Sequence, residues 1–329
     1  MQLPRLLEQL GYSDSGNFLR RGTREFERAA DIGHILRAAG RGCRLEGVYS
    51  LRPLQDEESS NGNAGSLVPV VYVCTAKDEA AANQIHRLVW NQDIVPFLLV
   101  HTPPGLRLYS GFECGASDSG EQAGLLEPLI EFNRLHDRLA EFHADAIDSG
   151  ELWRRRGSDV RPQARVYWSL LENLKQLAQK FRTEYGLKRE VIHPLIGKYV
   201  YLYYLKDRGF LSPRRLAEWE IAHESIYGRT ATVAGLSAVC EKLDGFLNGR
   251  VFPLKFRGND APTTEQIQRV AGAFAGDEFA GGWQFHLPFT AFKFSYIPIE
   301  TLSMIYEQFL HLPDKSETED DEDEQTEGR

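Results

Sequence analysis

The chain has 329 residues, 42% apolar and 11% aromatic, enough to fill the cores of two ordinary domains. Its longest apolar runs, such as Ile94–Val100, hold seven residues, far below the ~20 that span a bilayer. The opening MQLPRLLEQLGYSDS lacks the basic flank and long apolar core of a signal peptide, so a membrane partner is not expected. Four isolated cysteines, Cys43, Cys74, Cys114 and Cys240, form no C-x-x-C pair and read as reduced, mostly buried thiols of a cytosolic protein. The net charge of -9 is concentrated at one end: Asp314–Arg329 holds nine acids and two bases, a net of -7, leaving only -2 elsewhere. The globular part is therefore nearly neutral, and the acidic run reads as a disordered tail over 313–329.

In chain order, Glu25–Arg41 has helical apolar spacing at Phe26, Ala29, Ile32, Ile35 and Leu36. CRLEGVYSLRP reads as a strand, and the polar, glycine-rich Gln55–Leu67 as a surface loop. VPVVYVCTAKDE is a continuous apolar strand buried on both faces. Asp78 is placed to cap the helix that follows, with Ala82, Ile85, Val89 and Trp90 on one face. IVPFLLVHTPPGLRLYSGFE gives two strands joined by a Thr-Pro-Pro-Gly turn. An α/β unit therefore spans about residues 20–115. Beyond it, PLIEFNRLHDRLAEFHADAI, VYWSLLENLKQLAQKFRTEYG, VIHPLIGKYVYLYYLKDRG and LSAVCEKLDGFLNGRVFPL all show three-to-four-residue apolar periods. Gly209 is placed to end the third of these helices. In the last helix Pro298 suits the first turn, and Ile299, Leu302, Ile305, Tyr306, Phe309 and Leu310 make a wide apolar face that must be covered.

No G-x-x-x-x-G-K-[ST] loop, G-x-G-x-x-G turn or G-x-S-x-G elbow occurs. His223-Glu224 opens like a zinc-protease helix but lacks the second histidine, and His136 and His143 have no third ligand nearby. GDEFAGGW, Gly276–Trp283, imitates a methyl-donor loop but lacks a buried strand leading into it. Two arginine groups stand out: Arg20, Arg21, Arg24 and Arg28, and then Arg154, Arg155, Arg156, Arg161 and Arg165. Such groups neutralise phosphates or coat a solvated linker; the second group is the candidate DNA contact.

CTAK, Cys74–Lys77, ends a buried strand in an α/β unit and resembles the place where PD-(D/E)xK nucleases put an acid, any residue and a lysine. In that chemistry paired carboxylates hold Mg²⁺ and the lysine orients the nucleophile. Here Thr75 stands at the acid position, so Lys77 with Glu46 on the preceding strand makes a degenerate site.

Three further blocks, Leu195–Ser212, Leu243–Leu254 and Phe294–Leu310, resemble the helical region upstream of the catalytic domain in large adenine-specific DNA methyltransferases, including fused type IIG restriction–modification enzymes. The strand and helix segment from Val68 to Phe112 is similar to the N-terminal region of such proteins. The resemblance implies an α+β chain: a nuclease-like α/β domain at 1–115, a helical linker with the basic cluster at 116–165, and a helical domain at 166–312. It implies that Ile299, Leu302, Ile305, Tyr306 and Phe309 dock onto a methyltransferase domain that this chain lacks, since no Asn-Pro-Pro occurs. The chain would then be a truncated form or one half of a split enzyme. S-adenosylmethionine is expected only for that missing domain. The partners implied are double-stranded DNA and a methyltransferase subunit, in a bacterial cytoplasm. A Mg²⁺-dependent endonuclease and a protein-interaction scaffold are the alternatives.

Overall fold

A computed structural model describes residues 3–31, 33, 35–36, 40, 42–52, 67–116, 122–131, 134–247, 252–258, 260–277 and 289–311. The architecture is mixed α and β, in two compact units: Met1–Ser169 with Ala291–Pro298, and the remainder from Leu170 onward.

The first unit opens with helix α1 (Leu3–Gln9), strand β1 (Phe18–Arg20) and helix α2 (Arg24–Asp31). Strands β2 (Cys43–Leu51) and β3 (Val68–Ala76) follow, then α3 (Glu79–Gln92), β4 (Phe97–Thr102) and β5 (Gly105–Ser110). A two-residue pair, β6 (Gly115–Ala116) and β7 (Gln122–Ala123), precedes the edge strand β8 (Leu125–Ile130). The main sheet runs β1-β2-β3-β4-β5-β8. It is antiparallel except for β3 and β4, which the α3 crossover makes parallel. Asp78 caps α3 as its position predicts, accepting from the Ala81 amide at 2.8 Å. The Thr-Pro-Pro-Gly turn joins β4 to β5, with Thr102 Oγ1 donating to the Gly105 carbonyl at 2.8 Å.

Helices cover both faces of this sheet, which is why β3 carries an unbroken apolar run. On one face Phe26, Ala29, Ala82, Ile85 and Val89 pack on Val48, Tyr72 and Leu98. On the other, Leu6 and Leu7 join Leu135, Leu139, Phe142, Ile147 and Leu152 against Val71, Val73 and Leu99. The last five come from short helices α4 (Leu135–Arg138), α5 (Ala144–Asp148) and α6 (Glu151–Arg156) and a 3-10 turn at Ala140–Phe142, with Leu139 at the junction of α4 and that turn.

Three expectations are revised here. The helix predicted over 25–41 stops at Asp31, because Gly33 and Gly40 take left-handed backbone (φ 81° and 85°). The helix predicted from Pro128 begins instead as β8, where the sheet edge tolerates a proline with no amide to donate. Residues 116–165, read as a linker, supply that strand and much of the second core face. The break between α4 and α5 also separates His136 from His143, which sit on no shared helix.

The segment Ala291–Pro298 belongs to the first unit through Asn91, whose Nδ2 donates to the Ala291 carbonyl (3.0 Å) and whose Oδ1 accepts from the Lys293 amide (2.7 Å). Phe292 packs beside Trp90, ring centroids 5.5 Å apart. Buried His86 is held neutral: one ring nitrogen meets the Ser110 carbonyl at 2.8 Å and the other meets Gln122 Nε2 at 3.1 Å. Burial pushes its pKa down to about 4, so between about 4 and the unfolded value near 6.5 only the unfolded chain takes up a proton. Stability is therefore full above roughly pH 6.5 and falls as pH drops toward 4, by an expected ~2–3 kcal/mol. Urea titrations across that range check it, and His86→Gln should flatten the slope.

The second unit is helical among the described residues: α7 (Val166–Tyr185), α8 (Arg189–Asp207), α9 (Pro213–Glu218), α10 (Val233–Leu247), α11 (Thr264–Ala275) and α12 (Ile299–Leu310). Leu170, Leu174, Leu177 and Phe181 of α7 are buried at the predicted spacing, as are Leu195, Tyr199, Leu202 and Leu205 of α8. Gly209 (φ 79°) ends α8, its amide bonded to the Lys206 carbonyl. Helix α11 starts on a reciprocal cap between Thr263 and Gln266 that the sequence reading passed over. Among the described residues no helix is long and apolar enough to cross a membrane. The acidic run and most of GDEFAGGW lie outside the described residues.

Candidate functional site

Between Leu45 and Gly47 the β2–β3 register shifts, and Glu46 is the residue left over. Such a bulge re-aims a side chain. Glu46 is only 8% exposed, and its Oε1 accepts from Thr75 Oγ1 at 2.7 Å and Arg44 Nε at 2.6 Å. The neighbouring chain is pinned to the same spot: the Arg21 amide donates to the Glu46 carbonyl at 2.9 Å. Leu3, Arg20, Arg21, Arg44 and Glu46 line a cleft of about 300 Å³. Three arginines thus share the cleft lining with one carboxylate, and Arg21 Nη1 lies 3.5 Å from the Leu45 carbonyl. Arg20 and Arg21 form no ion pair among the described residues. Arg44 spends its Nε on Glu46, which leaves its two terminal nitrogens for a ligand and fixes the plane of the fork.

Among the described residues the ion pair of Lys77 is with Asp78. Its side chain is 69% exposed and its Nζ lies 3.5 Å from Asp78. Its stem crosses Gly42, whose absent Cβ would otherwise sit 2.9 Å from Lys77 Cε. The residues present do not fit Mg²⁺: the single carboxylate at the site is already held by an arginine and a hydroxyl. Among the described residues no three acids, histidines or cysteines converge.

The Arg154–Arg165 cluster is bound to acids of its own unit. Arg154 and Arg155 both reach Glu151, at 2.5 and 2.6 Å. Arg156 sits 3.2 Å from Asp159 and 3.7 Å from Glu127, and Arg161 pairs with Glu113. Arg165 donates to the Asp93 carboxylate (2.8 Å) and carbonyl (2.9 Å) and lies 4.1 Å above the Phe112 ring. Burial raises the Asp93 carboxyl, and Arg165 works against that rise. Each arginine of the group expected to contact DNA thus has an acidic partner in its own unit. Arg154, Arg155 and Arg161 stay well exposed.

The α12 face is likewise occupied. Leu302, Ile305 and Phe309 are buried. Phe309 stacks on His193 of α8 at 4.4 Å, and half-buried Tyr306 packs over Gly197 and 3.9 Å from Phe252. Of the five residues expected to dock a partner, Ile299 is the one left largely open, at 47% exposure. The seam expected there is the unit's own core.

Sequence reasoning missed Arg44, although its spacing of two from Glu46 on a strand was a readable signal for one shared face. Among known proteins, no family model matches the chain, and no curated protein or solved structure matches it.

Proposed function

We propose that the first unit grips the phosphate backbone of duplex DNA at the β1–β2 edge, without cutting it. We place it as the DNA-holding part of an adenine-specific methyltransferase system of restriction–modification or phage-defence type. S-adenosylmethionine and methyl transfer then belong to a separate domain or subunit. The observation that carries the DNA reading is the arginine-lined cleft, where Arg20 and Arg21 have no acidic partner among the described residues and Arg44 is oriented by Glu46. The methyltransferase context comes from the three helical blocks alone. The strand–strand–helix–strand order, with Glu46 hydrogen-bonded to Thr75, supports a nuclease-like ancestry, in which a threonine in the acid's place disfavours metal and favours phosphate.

Fluorescence anisotropy with a labelled duplex tests this. The full chain should bind weakly and with strong salt dependence. Arg20→Ala/Arg21→Ala/Arg44→Ala should lose about tenfold or more in affinity and flatten the salt slope by up to roughly 3. Arg154→Ala/Arg155→Ala should stay within about twofold, since those side chains answer to Glu151. Equal binding by the triple variant, with its fold intact by circular dichroism, would sink the proposal.

A further inference from the structure

Arg44 and Glu46 are a joined pair inside the arginine-lined cleft. Arg44 Nε and Thr75 Oγ1 both donate to Glu46 Oε1, at 2.6 and 2.7 Å. The carboxylate is therefore anchored and only 8% exposed, while the arginine it holds is 62% exposed. Three groups of the pair have no hydrogen-bond partner among the described residues: Nη1 and Nη2 of Arg44, which donate, and Oε2 of Glu46, which accepts. Both residues sit on β2 beside the short edge strand β1, where Arg20 pairs with Gly47. The major groove of B-DNA, about 12 Å wide, admits a two-stranded ribbon.

Charge decides what this pair can hold. A carboxylate 2.6 Å from a guanidinium offsets much of its attraction for a phosphate, and itself repels that anion. Arg20 and Arg21, with no acidic partner among the described residues, are the better phosphate ligands. A neutralised fork suits an uncharged partner that presents two acceptors side by side. Guanine does so in the major groove with O6 and N7, and its paired cytosine sets an N4 amine donor next to them. Two donors and one acceptor on the protein are the complement of that edge. An A·T pair instead puts an amine donor beside N7, and a guanidinium cannot accept from it.

We propose that Arg44, oriented by Glu46, reads guanine in a G·C base pair, so that the first unit binds duplex DNA with a base preference and not through the backbone alone. Arg44 is the specificity-determining residue and Glu46 its positioning residue. This assignment rests on the DNA reading above and adds to it the class of base recognised.

Fluorescence anisotropy of the full chain with three duplexes of equal length tests it: one rich in G·C pairs, the same duplex with 7-deazaguanine at each guanine, and one of A·T pairs only. The 7-deaza base keeps the charge and the pairing and removes the N7 acceptor. The G·C-rich duplex should bind about fivefold or more tighter than the other two, the lower end for one bidentate arginine contact, with equal salt slopes. Arg44→Lys keeps the cation and lacks the fork, so it should bind all three duplexes within about twofold of one another. Glu46→Gln should also lose the preference yet bind the A·T duplex more tightly, because a negative charge leaves the cleft, a gain that a folding defect would not produce. Equal wild-type affinity for the G·C-rich and 7-deaza duplexes, or a preference that survives Arg44→Lys, would overturn the base reading; salt-dependent binding in that case leaves the backbone grip standing. Absence of binding to all three duplexes would remove both.

Discussion

Phe309→Ala is expected to destabilise the helical unit by about 3–5 kcal/mol, the range for emptying an aromatic site in a packed core. Phe309 is fully buried and stacked on His193, so its removal leaves a void that α8 and α12 must collapse to fill. Had the α12 face been an open docking surface, the same change would leave the isolated chain's stability nearly untouched. Met304→Ala is the matched control: Met304 is 51% exposed on the same helix, and its loss should stay within ~0.5 kcal/mol. Because the chain has two compact units, a single melting curve mixes them. Hydrogen exchange of the α8 amides reads the helical unit by itself. Unchanged protection of α8 in Phe309→Ala would return α12 to the role of a free surface.

Gly111→Ala is expected to cost the first unit about 3 kcal/mol or more, at the upper end of overpacking effects. A Cβ there would stand 1.9 Å from the Val95 carbonyl oxygen, a backbone atom with little freedom to move. The approach is enforced by the Gly111 amide, which donates to the Pro96 carbonyl at 2.7 Å. Any relief must lengthen that bond and part the chain entering β4 from the chain leaving β5. Gly157→Ala is the contrast, since nothing lies within 4 Å of its added methyl. Chemical denaturation of both variants, followed by hydrogen exchange of the β4 and β5 amides, separates them. Equal midpoints would show that this crossing is looser than the geometry implies.

What was legible followed from periodicity and punctuation. The strands from Cys43 to Ser110, the capped helix after Asp78, and the end of α8 at Gly209 all rest on local signals. The three-residue strand β1 carries too little pattern to be seen, and it exists because Phe18, Leu19 and Arg20 pair with Tyr49, Val48 and Gly47. β8 was masked by a helical period that its edge pairing overrode. An amphipathic face announces that it will be buried but not against what, so α12 was assigned to an outside partner rather than to α8. The candidate site divides the same way. Glu46, Arg20 and Arg21 were visible as residue types. Their meeting depends on a bulge that no composition reveals. Arg161 and Arg165 appeared unopposed because Glu113 and Asp93 lie tens of residues upstream and meet them only in the folded chain.

The clasp that Asn91 makes on residues 291–298 has a consequence for how the protein is born. A ribosome must synthesise residues 170–290 before that last piece of the first unit emerges, a delay of roughly 6–24 s at ~5–20 residues per second. During that interval the indole of Trp90 waits without Phe292 beside it. For the same reason, a protease nick or an engineered cut near residue 169 would not yield two whole pieces: one half would lack its closing segment, and the other would carry it as a stray loop.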